Sequence, residues 1–354
     1  MDIVDAATLA DAVSSPAALE ALTPGPGGRA LVVDLRHVPM SATDPVRRAL
    51  VALAAYPVVV VGVAPGAAGD PATGPAANPA AGSAGGVAGE ADVVVGGADE
   101  AGEVVAAVEA HPLAATALVV HLRASEPLGV EEALVAESAV YSMLQAGPEH
   151  GRWLDGRATA PARTPDDGER VRAERDGRRL TVTLARPAAR NAVDAAMQQA
   201  LVDALLVAAD DGVEEVVLRG DGPVFSAGGD LREFGSLADP ASAHLLRLAR
   251  SPARALHRVA GRTTVHVHGA CHGAGVELPA FAHRVVAHPG ATFTLPEVAM
   301  GLVPGAGGTV SIPRRVGRQR TAWLALAGRP IDAPTALAWG LVDAVRDLGP
   351  QPGT

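Results

Sequence analysis

The 354-residue sequence contains no lysine, so all 29 of its Lys and Arg positions are arginine. Lysine is required for a Schiff base with a carbonyl substrate or with pyridoxal phosphate, and for the phosphate-binding position of a P-loop. Its absence excludes these kinds of site from this chain. The single cysteine, Cys271, likewise excludes a disulfide framework and a cysteine-based zinc site.

Long hydrophobic runs are also missing. The most apolar stretch, residues 51–64, is interrupted by Pro57 and Gly62 and falls short of the ~20 residues that a membrane span needs. The first residues are acidic, whereas a secretory signal begins with basic ones. We therefore expect a soluble, cytoplasmic protein without a membrane partner.

Positive charge is scarce in the first half of the chain. Residues 1–150 carry five arginines against eighteen acidic residues, and residues 151–354 carry 24 arginines against 21. An acidic half disfavours nucleic acid as a partner, and a mildly basic half suits a small anionic ligand.

A protein domain typically has ~150 residues, so a chain of this length suits two domains. Residues 64–90 are rich in Ala, Gly and Pro, which is typical of a linker or an exposed loop, and residues 155–170 form a second break. We place one domain at 1–154, a linker at 155–170 and a second domain at 171–354.

The second domain alternates strands with helices, which predicts an α/β fold. Over the whole chain, the predicted strands are at 30–35, 57–61 and 92–95 in the first domain and at 180–184, 215–218, 263–267, 285–287 and 292–294 in the second. The predicted helices are at 100–110, 114–123, 130–145, from Asp194 to about Ala209, and over much of 232–260 with breaks near Pro240 and Pro252. A basic cluster (Arg314, Arg315, Arg318 and Arg320) is either a solvated helix end or a contact to a phosphate or a neighbouring subunit.

Two glycine-rich turns, at 224–231 and 269–278, each precede a predicted helix. Glycine lets backbone N–H groups approach a ligand atom, and two such groups from separate turns can form an oxyanion hole. The alternative is a pair of tight turns filled with small residues. Glu277 and Glu297 lie in apolar sequence, where burial raises the pKa of a carboxyl group and favours acid–base work, although either could instead cap a helix.

Residues from about 180 to 345 resemble the crotonase superfamily of enoyl-CoA hydratases and isomerases. The resemblance rests on five motifs in the family's order, which are Arg-Pro-Ala-Ala-Arg-Asn-Ala at 186–192, Phe-Ser-Ala-Gly-Gly-Asp at 225–230, the turn that ends in Glu277, Leu-Pro-Glu at 295–297 with Pro-Gly-Ala-Gly-Gly-Thr at 304–309, and Ala-Trp-Gly-Leu-Val-Asp at 338–343. It implies a ββα spiral fold and an acyl-CoA substrate.

The resemblance also implies roles for individual residues. Gly229 and Ala274 match the backbone N–H donors to the thioester oxygen, and Glu277 and Glu297 match the carboxylates that bind and activate water. Arg190, Asn191 and Ala192, with Ala227 and Gly228 on the first turn, are expected to line the CoA site. No metal and no separate cofactor is expected, because CoA is part of the substrate.

The family fold normally continues past the segment at 338–343 into a helical tail, and here only nine residues follow Val345. Residues 111–154 are similar to such a tail. We therefore expect 1–154 to be a degenerate crotonase-like α/β copy whose helices replace it. The family also implies a homo-oligomer, a trimer or a hexamer.

The presence of both glutamates favours hydration of a 2-enoyl-CoA to a 3-hydroxyacyl-CoA. The alternatives are another crotonase-type reaction, such as double-bond isomerisation or thioester hydrolysis, and a catalytically weak CoA-binding or assembly subunit.

Overall fold

The computed structural model describes residues 3–12, 15, 17–18, 30–38, 40–64, 87–157, 168–209, 212–236 and 239–349. The strands are β1 (Ile3–Asp5), β2 (Ala30–Asp34), β3 (Val59–Val63), β4 (Val93–Val95), β5 (Val171–Asp176), β6 (Arg179–Leu184), β7 (Glu215–Gly220), β8 (Thr263–Val267), β9 (Ala270–His272), β10 (Arg284–Ala287), β11 (Thr292–Thr294), β12 (Ile331–Asp332) and β13 (Ala344–Val345).

The α-helices of the described residues are α1 (Ala6–Ala12), α2 (Thr43–Leu53), α3 (Ala98–Ala110), α4 (Pro112–Ser125), α5 (Val130–Gln145), α6 (Pro148–Asp155), α7 (Ala195–Ala208), α8 (Pro240–Ala249), α9 (Pro252–Val259), α10 (Ala274–Glu277), α11 (Gly308–Val316), α12 (Arg318–Ala327) and α13 (Ala333–Trp339). Short 3₁₀ turns include Leu231–Glu233 and Glu297–Met300.

The second half of the chain is built on a six-stranded sheet in the order β13-β10-β8-β7-β6-β5. All neighbours pair in parallel except β5 and β6, which form an antiparallel hairpin. After β8 the chain turns at Gly269 (φ 62°) into β9, which joins β11 and β12 in a smaller sheet. The succession β8-β9-α10 is one ββα unit, and the predicted α/β class is confirmed.

The first half carries a four-stranded parallel sheet in the order β1-β2-β3-β4. Every residue of β3 is buried, as a Val-rich strand covered on both faces must be. Helices α1 and α2 pack on one face of this sheet, and α3 and α4 cover the other.

Helices α3 to α5 contribute apolar residues to the same core as the main sheet of the second half, and α6 packs against the 3₁₀ turn at Glu297–Met300. Glu149 stabilises this helical layer, because its carboxylate accepts the N–H groups of Leu113 and Ala114 at the start of α4, at 2.8 and 2.9 Å. Nearby, the ring of His150 is hydrogen-bonded to the carbonyl of Met300 at 3.0 Å. The layer therefore supports the turn that carries Glu297.

Part of the basic cluster joins the two halves. Arg314 donates to the carbonyl of Leu128 at 2.8 Å, and Arg318 donates to the carbonyls of Gly89 and Ala91 at 2.8 and 3.0 Å. Arg314 is nevertheless exposed in the last turn of α11, as a solvated helix end predicts, whereas neither interpretation foresaw the contact of the half-buried Arg318 with backbone of the first half.

Several predicted boundaries need correction. Pro240 and Pro252 begin α8 and α9 at their first position, where proline loses no helical hydrogen bond, and Asp239 and Ser251 cap the two helices. The Ala/Gly/Pro segment gives way to packed chain before residue 90, because Val87 is fully buried. Most of that segment (65–86) and of the linker at 155–170 (158–167) lies outside the described residues.

In the described ranges no single helix is long and apolar enough to cross a membrane. Helices α3 and α4 reach the required length and hydropathy only as a pair, which is bent by 110°.

Candidate active site

The two glycine-rich turns can meet because each has a glycine, and so no side chain, at a point of contact. A Cβ at Gly275 would overlap the carbonyl oxygen of Ser226, and one at Gly228 would lie 2.7 Å from the carbonyl oxygen of His272. Gly229 and Ala274 line the same cavity, and the N–H of neither residue has an acceptor in the part of the chain that the structure describes. Two residues with unpaired backbone donors therefore border one space, as an oxyanion hole requires.

A buried ion pair fixes the first of these turns. Arg186 donates to Asp230 at 2.9 Å and lies 3.1 Å from Asp194, and all three side chains are buried. The pKa of Asp230 is lowered, first by its hydrogen bonds with Arg232 and also by those with Arg186, against the cost of burial. Because Asp230 follows Gly229, this pair anchors the turn that carries the Gly229 N–H.

The loop before α7 contains both described non-glycine residues with left-handed backbone, Arg190 and Asn191 (φ 54° and 51°). The Asn191 side chain is fully buried, accepts the Arg186 N–H at 2.9 Å and donates to the carbonyls of Asp221 and Val224 at 2.8 and 3.0 Å. Predicted as a CoA contact, Asn191 is occupied in holding the loop. Its side chain has no surface to offer a ligand.

Of the other residues expected around CoA, two line a second cavity and two do not. Arg190 is exposed and lines a second cavity of about 240 Å³ together with Ala227 and His272. Ala192 is half-buried on the adjoining loop, and Gly228 is buried between the two turns.

Glu277 and Glu297 approach a common point beside Gly273. A Cβ there would collide with Oε1 of Glu297 and would lie 3.7 Å from Oε1 of Glu277, and the backbone of Gly273 is left-handed (φ 46°). Glu277 and Glu297 line the same cavity as Gly229 and Ala274. The structure thus brings all four predicted catalytic residues together.

The surroundings of the two glutamates differ. Oε2 of Glu277 accepts the N–H groups of Ala306 and Gly308 at 2.7 and 2.8 Å. Oε2 of Glu297 has no hydrogen-bond partner among the described residues. Burial raises the pKa of Glu277 to about 7 against the effect of these two N–H groups, and it raises the pKa of Glu297 well above the ordinary value with help from the nearby Glu277. Glu277 therefore releases its proton more readily than Glu297, which retains its proton to higher pH.

The cavity has a volume of about 390 Å³ and is walled in part by the first half of the chain. Helix α5 contributes one face, made of Leu134, Glu137, Ser138, Tyr141 and Gln145. These residues follow the spacing of three and four that places side chains on one side of a helix.

Glu137 is a third buried carboxyl group in this cavity, and we had not predicted it as a site residue. Burial and the nearby Glu277 raise the pKa of Glu137 to about 8. The sequence held one signal for it, an acid at a position of α5 that the helical spacing places with Leu134 on an inward face. The Arg186–Asp230 pair was also missed, although both residues fall inside recognised motifs.

Comparisons with known proteins agree with the motifs. The sequence model described as enoyl-CoA hydratase/isomerase matches residues 177–348. The 2,3-dehydroadipyl-CoA hydratase of Escherichia coli K12 is 38% identical over 173 residues, which cover 48% of this chain and 67% of the relative. A probable enoyl-CoA hydratase of Bacillus subtilis is 36% identical over 136 residues, which cover 38% of this chain and 52% of the relative.

The crystal structure of an enoyl-CoA hydratase from Thermoplasma volcanium is 35% identical and covers 50% of this chain and 72% of that chain, with a TM-score of 0.47. The chain spans between about half and about two thirds of the length of the two curated relatives. The family resemblance predicted over about 180–345 is confirmed, and with it the crotonase-like class of the second half.

Proposed function

The chain belongs to the enoyl-CoA hydratase/isomerase family, and on that premise we propose that it adds water to a 2-enoyl-CoA to form the 3-hydroxyacyl-CoA. The observation that carries this proposal is the pair of unlike carboxyl groups, Glu277 and Glu297, in the cavity of two free backbone donors. A reaction that only moves a proton needs one such group, whereas hydration must both remove a proton from water and deliver one to carbon.

The thioester oxygen would lie between the N–H groups of Gly229 and Ala274. Attack at C3 pushes electrons through C2 onto this oxygen, so that negative charge develops where two fixed donors point. Removing one such donor from an oxyanion hole typically costs about 3 kcal/mol of transition-state stabilisation.

The two glutamates take different parts in the step. Glu277, in its charged form, accepts a proton from water as the water oxygen bonds to C3. Glu297, protonated, donates its proton to C2 of the resulting enolate. Solvent then returns the proton from Glu277 to Glu297, and the net reaction is the addition of one water molecule without a redox change.

The CoA moiety would lie along the loop at 190–192 and the first turn. Arg190 and Ala227 are the residues best placed for it, because they share the second cavity. Asn191 would act by shaping the loop.

We also infer that residues 1–154 serve the second half as its helical tail. The support is the common core of α3 to α5 with the second half, together with the arginine contacts that join the two halves. Residues 165–354 expressed alone are therefore expected to be insoluble or inactive, since α11 and α12 would expose apolar faces. A soluble, fully active fragment would overturn this inference.

Isotope labelling separates the candidate reactions. Incubation of enoyl-CoA thioesters of graded chain length in D₂O and H₂¹⁸O should place ¹⁸O at C3 and deuterium at C2. Deuterium without ¹⁸O would indicate an isomerase, release of free CoA thiol a thioesterase, and binding without any product a CoA-binding subunit.

A further inference from the structure

The turn at 305–309 divides its backbone N–H groups between two glutamates. Ala306 and Gly308 donate to Glu277, whereas Gly307 and Thr309 donate to Glu137 at 2.8 and 3.0 Å. Alternate N–H groups of this turn therefore point to opposite sides. Because the four N–H groups belong to one short turn, the direction of the pair that meets Glu277 depends on the direction of the pair that meets Glu137.

Glu137, which lies in the first half of the chain, binds the 305–309 turn through three hydrogen bonds. Besides the two N–H groups, it accepts the hydroxyl of Thr309 at 2.6 Å, and this hydroxyl is also 2.9 Å from Nε2 of His121 on α4. On the other side, a Cβ at Gly305 would overlap the ring of Tyr141. Three side chains from α4 and α5 thus hold five residues of the second half.

The proposed function makes no use of Glu137, yet the residue is only 2% exposed. Burying a carboxyl group is costly unless it is hydrogen-bonded, and its three hydrogen bonds here all come from the 305–309 turn. Without Glu137 the N–H groups of Gly307 and Thr309 would be buried and unsatisfied, and the turn would rotate to find other acceptors. The N–H groups of Ala306 and Gly308 would then leave Glu277.

From this geometry we infer that Glu137 is a positioning residue for Glu277, which acts by holding the 305–309 turn so that two backbone N–H groups meet the carboxylate that activates water. The inference rests on the proposed function and adds to it a residue from the other half of the chain. Glu137 touches no reacting atom in this account.

The charged and titratable groups around Glu137 determine what a substitution does. They are Glu277 on α10, Glu297 on its 3₁₀ turn, His121 on α4, Tyr141 on α5 and Arg247 on α8. Burial lowers the pKa of His121 to about 4, so its ring is neutral at the pH of an assay. The response to pH therefore comes from the glutamates.

The test is the pH profile of kcat for Glu137→Gln. The amide cannot accept both N–H groups, so Glu277 loses donors that favour its charged form. We expect kcat to fall by about 10- to 100-fold with KM nearly unchanged, and the acid limb of the profile to move to higher pH. Glu137→Asp, which retains two acceptor oxygens, should recover part of the loss.

Two outcomes would overturn the inference. If the acid limb of the kcat profile of Glu137→Gln is unchanged, Glu137 only stabilises the fold. If that limb moves to lower pH, Glu137 acts on Glu277 through its charge alone. Glu132→Gln is the matched control, because this residue lies on the same helix and is exposed. It should leave kcat and the profile unchanged.

Two further measurements keep the inference testable. If Glu137→Gln does not fold, Thr309→Val serves in its place, because it removes one of the three hydrogen bonds to Glu137 and changes the volume little. It should move the acid limb of the kcat profile to higher pH, by less than Glu137→Gln would. Amide hydrogen exchange at 305–309 needs no substrate, and it should accelerate in either variant. Unchanged exchange would refute the positioning role, whereas a wild type that adds no water would refute the proposed function alone.

Discussion

The backbone N–H of Gly308 donates a 2.8 Å hydrogen bond to Glu277, and a Cβ at position 308 would lie 2.5 Å from Cγ of the same side chain. Gly308 is therefore the residue that allows the turn to approach the carboxylate. Every property proposed for Glu277 depends on this close approach.

Gly308→Ala should displace Glu277 and lower kcat by at least about tenfold, while overpacking costs about 1–3 kcal/mol of stability. Enzyme kinetics and urea unfolding measure the two effects. Gly102→Ala is the control, because a Cβ there meets no atom within 4 Å and the helix should be stabilised. A Gly308→Ala variant as active as Gly102→Ala would show that the contact is unimportant.

Arg186→Met should destabilise the protein by about 3 kcal/mol, since it leaves the buried Asp230 with fewer partners. It should also lower kcat, because the Gly229 N–H loses its fixed direction. Arg232→Met removes a more exposed partner of the same carboxylate and should cost less. Urea unfolding measures the loss of unfolding free energy in both variants. Equal losses would argue against Arg186 as the main partner that stabilises the buried Asp230.

The rate of hydration should follow a bell-shaped pH profile. Glu277 must be charged, and its raised pKa places the acid limb near pH 7. Glu297 must be protonated, and its higher pKa produces the alkaline limb. A kcat that stays constant from about pH 5 to 7 would contradict the assignment of Glu277 as the base.

The contribution of the three buried glutamates to stability should fall as the pH rises from about 5 to 8. The pKa values of Glu137, Glu277 and Glu297 are all raised above the ordinary 4.5, so in this range the folded state retains protons that the unfolded state has released. Their contribution is complete below about 4.5 and is lost through the folded-state pKa values. Urea unfolding at about pH 6 and 8 should show a smaller difference for Glu297→Gln than for wild type, and an equal difference would contradict the raised pKa.

Local patterns predicted much of the fold. The helix at 130–145 was predicted with its observed bounds, because its apolar spacing is regular and Gly147 and Pro148 follow it. The strand predicted at 57–61 is observed two residues later, since β3 begins only after Pro57 and Val58. In an all-apolar run the local sequence does not mark the boundary, which here lies where the pairing with β2 begins, at Val59.

Long-range contacts explain what the sequence did not reveal. Glu137 and Thr309 are 172 residues apart, and no local pattern relates a carboxyl group on one helix to the N–H groups of a distant turn. Motif recognition found Glu277 and Glu297 because family motifs contain them. It also assigned Asn191 to a ligand, and the structure shows its amide turned inward to the backbone.

The most direct test of the account compares the rates at which wild type, Glu277→Gln, Glu297→Gln and the control Glu132→Gln remove the conjugated enoyl-thioester absorbance of crotonyl-CoA. We expect wild type and control to form the 3-hydroxyacyl product at the same rate, and each site variant to lose at least about 100-fold in kcat while it still binds the thioester. Hydration by Glu277→Gln or Glu297→Gln at the wild-type rate would contradict the two-glutamate mechanism.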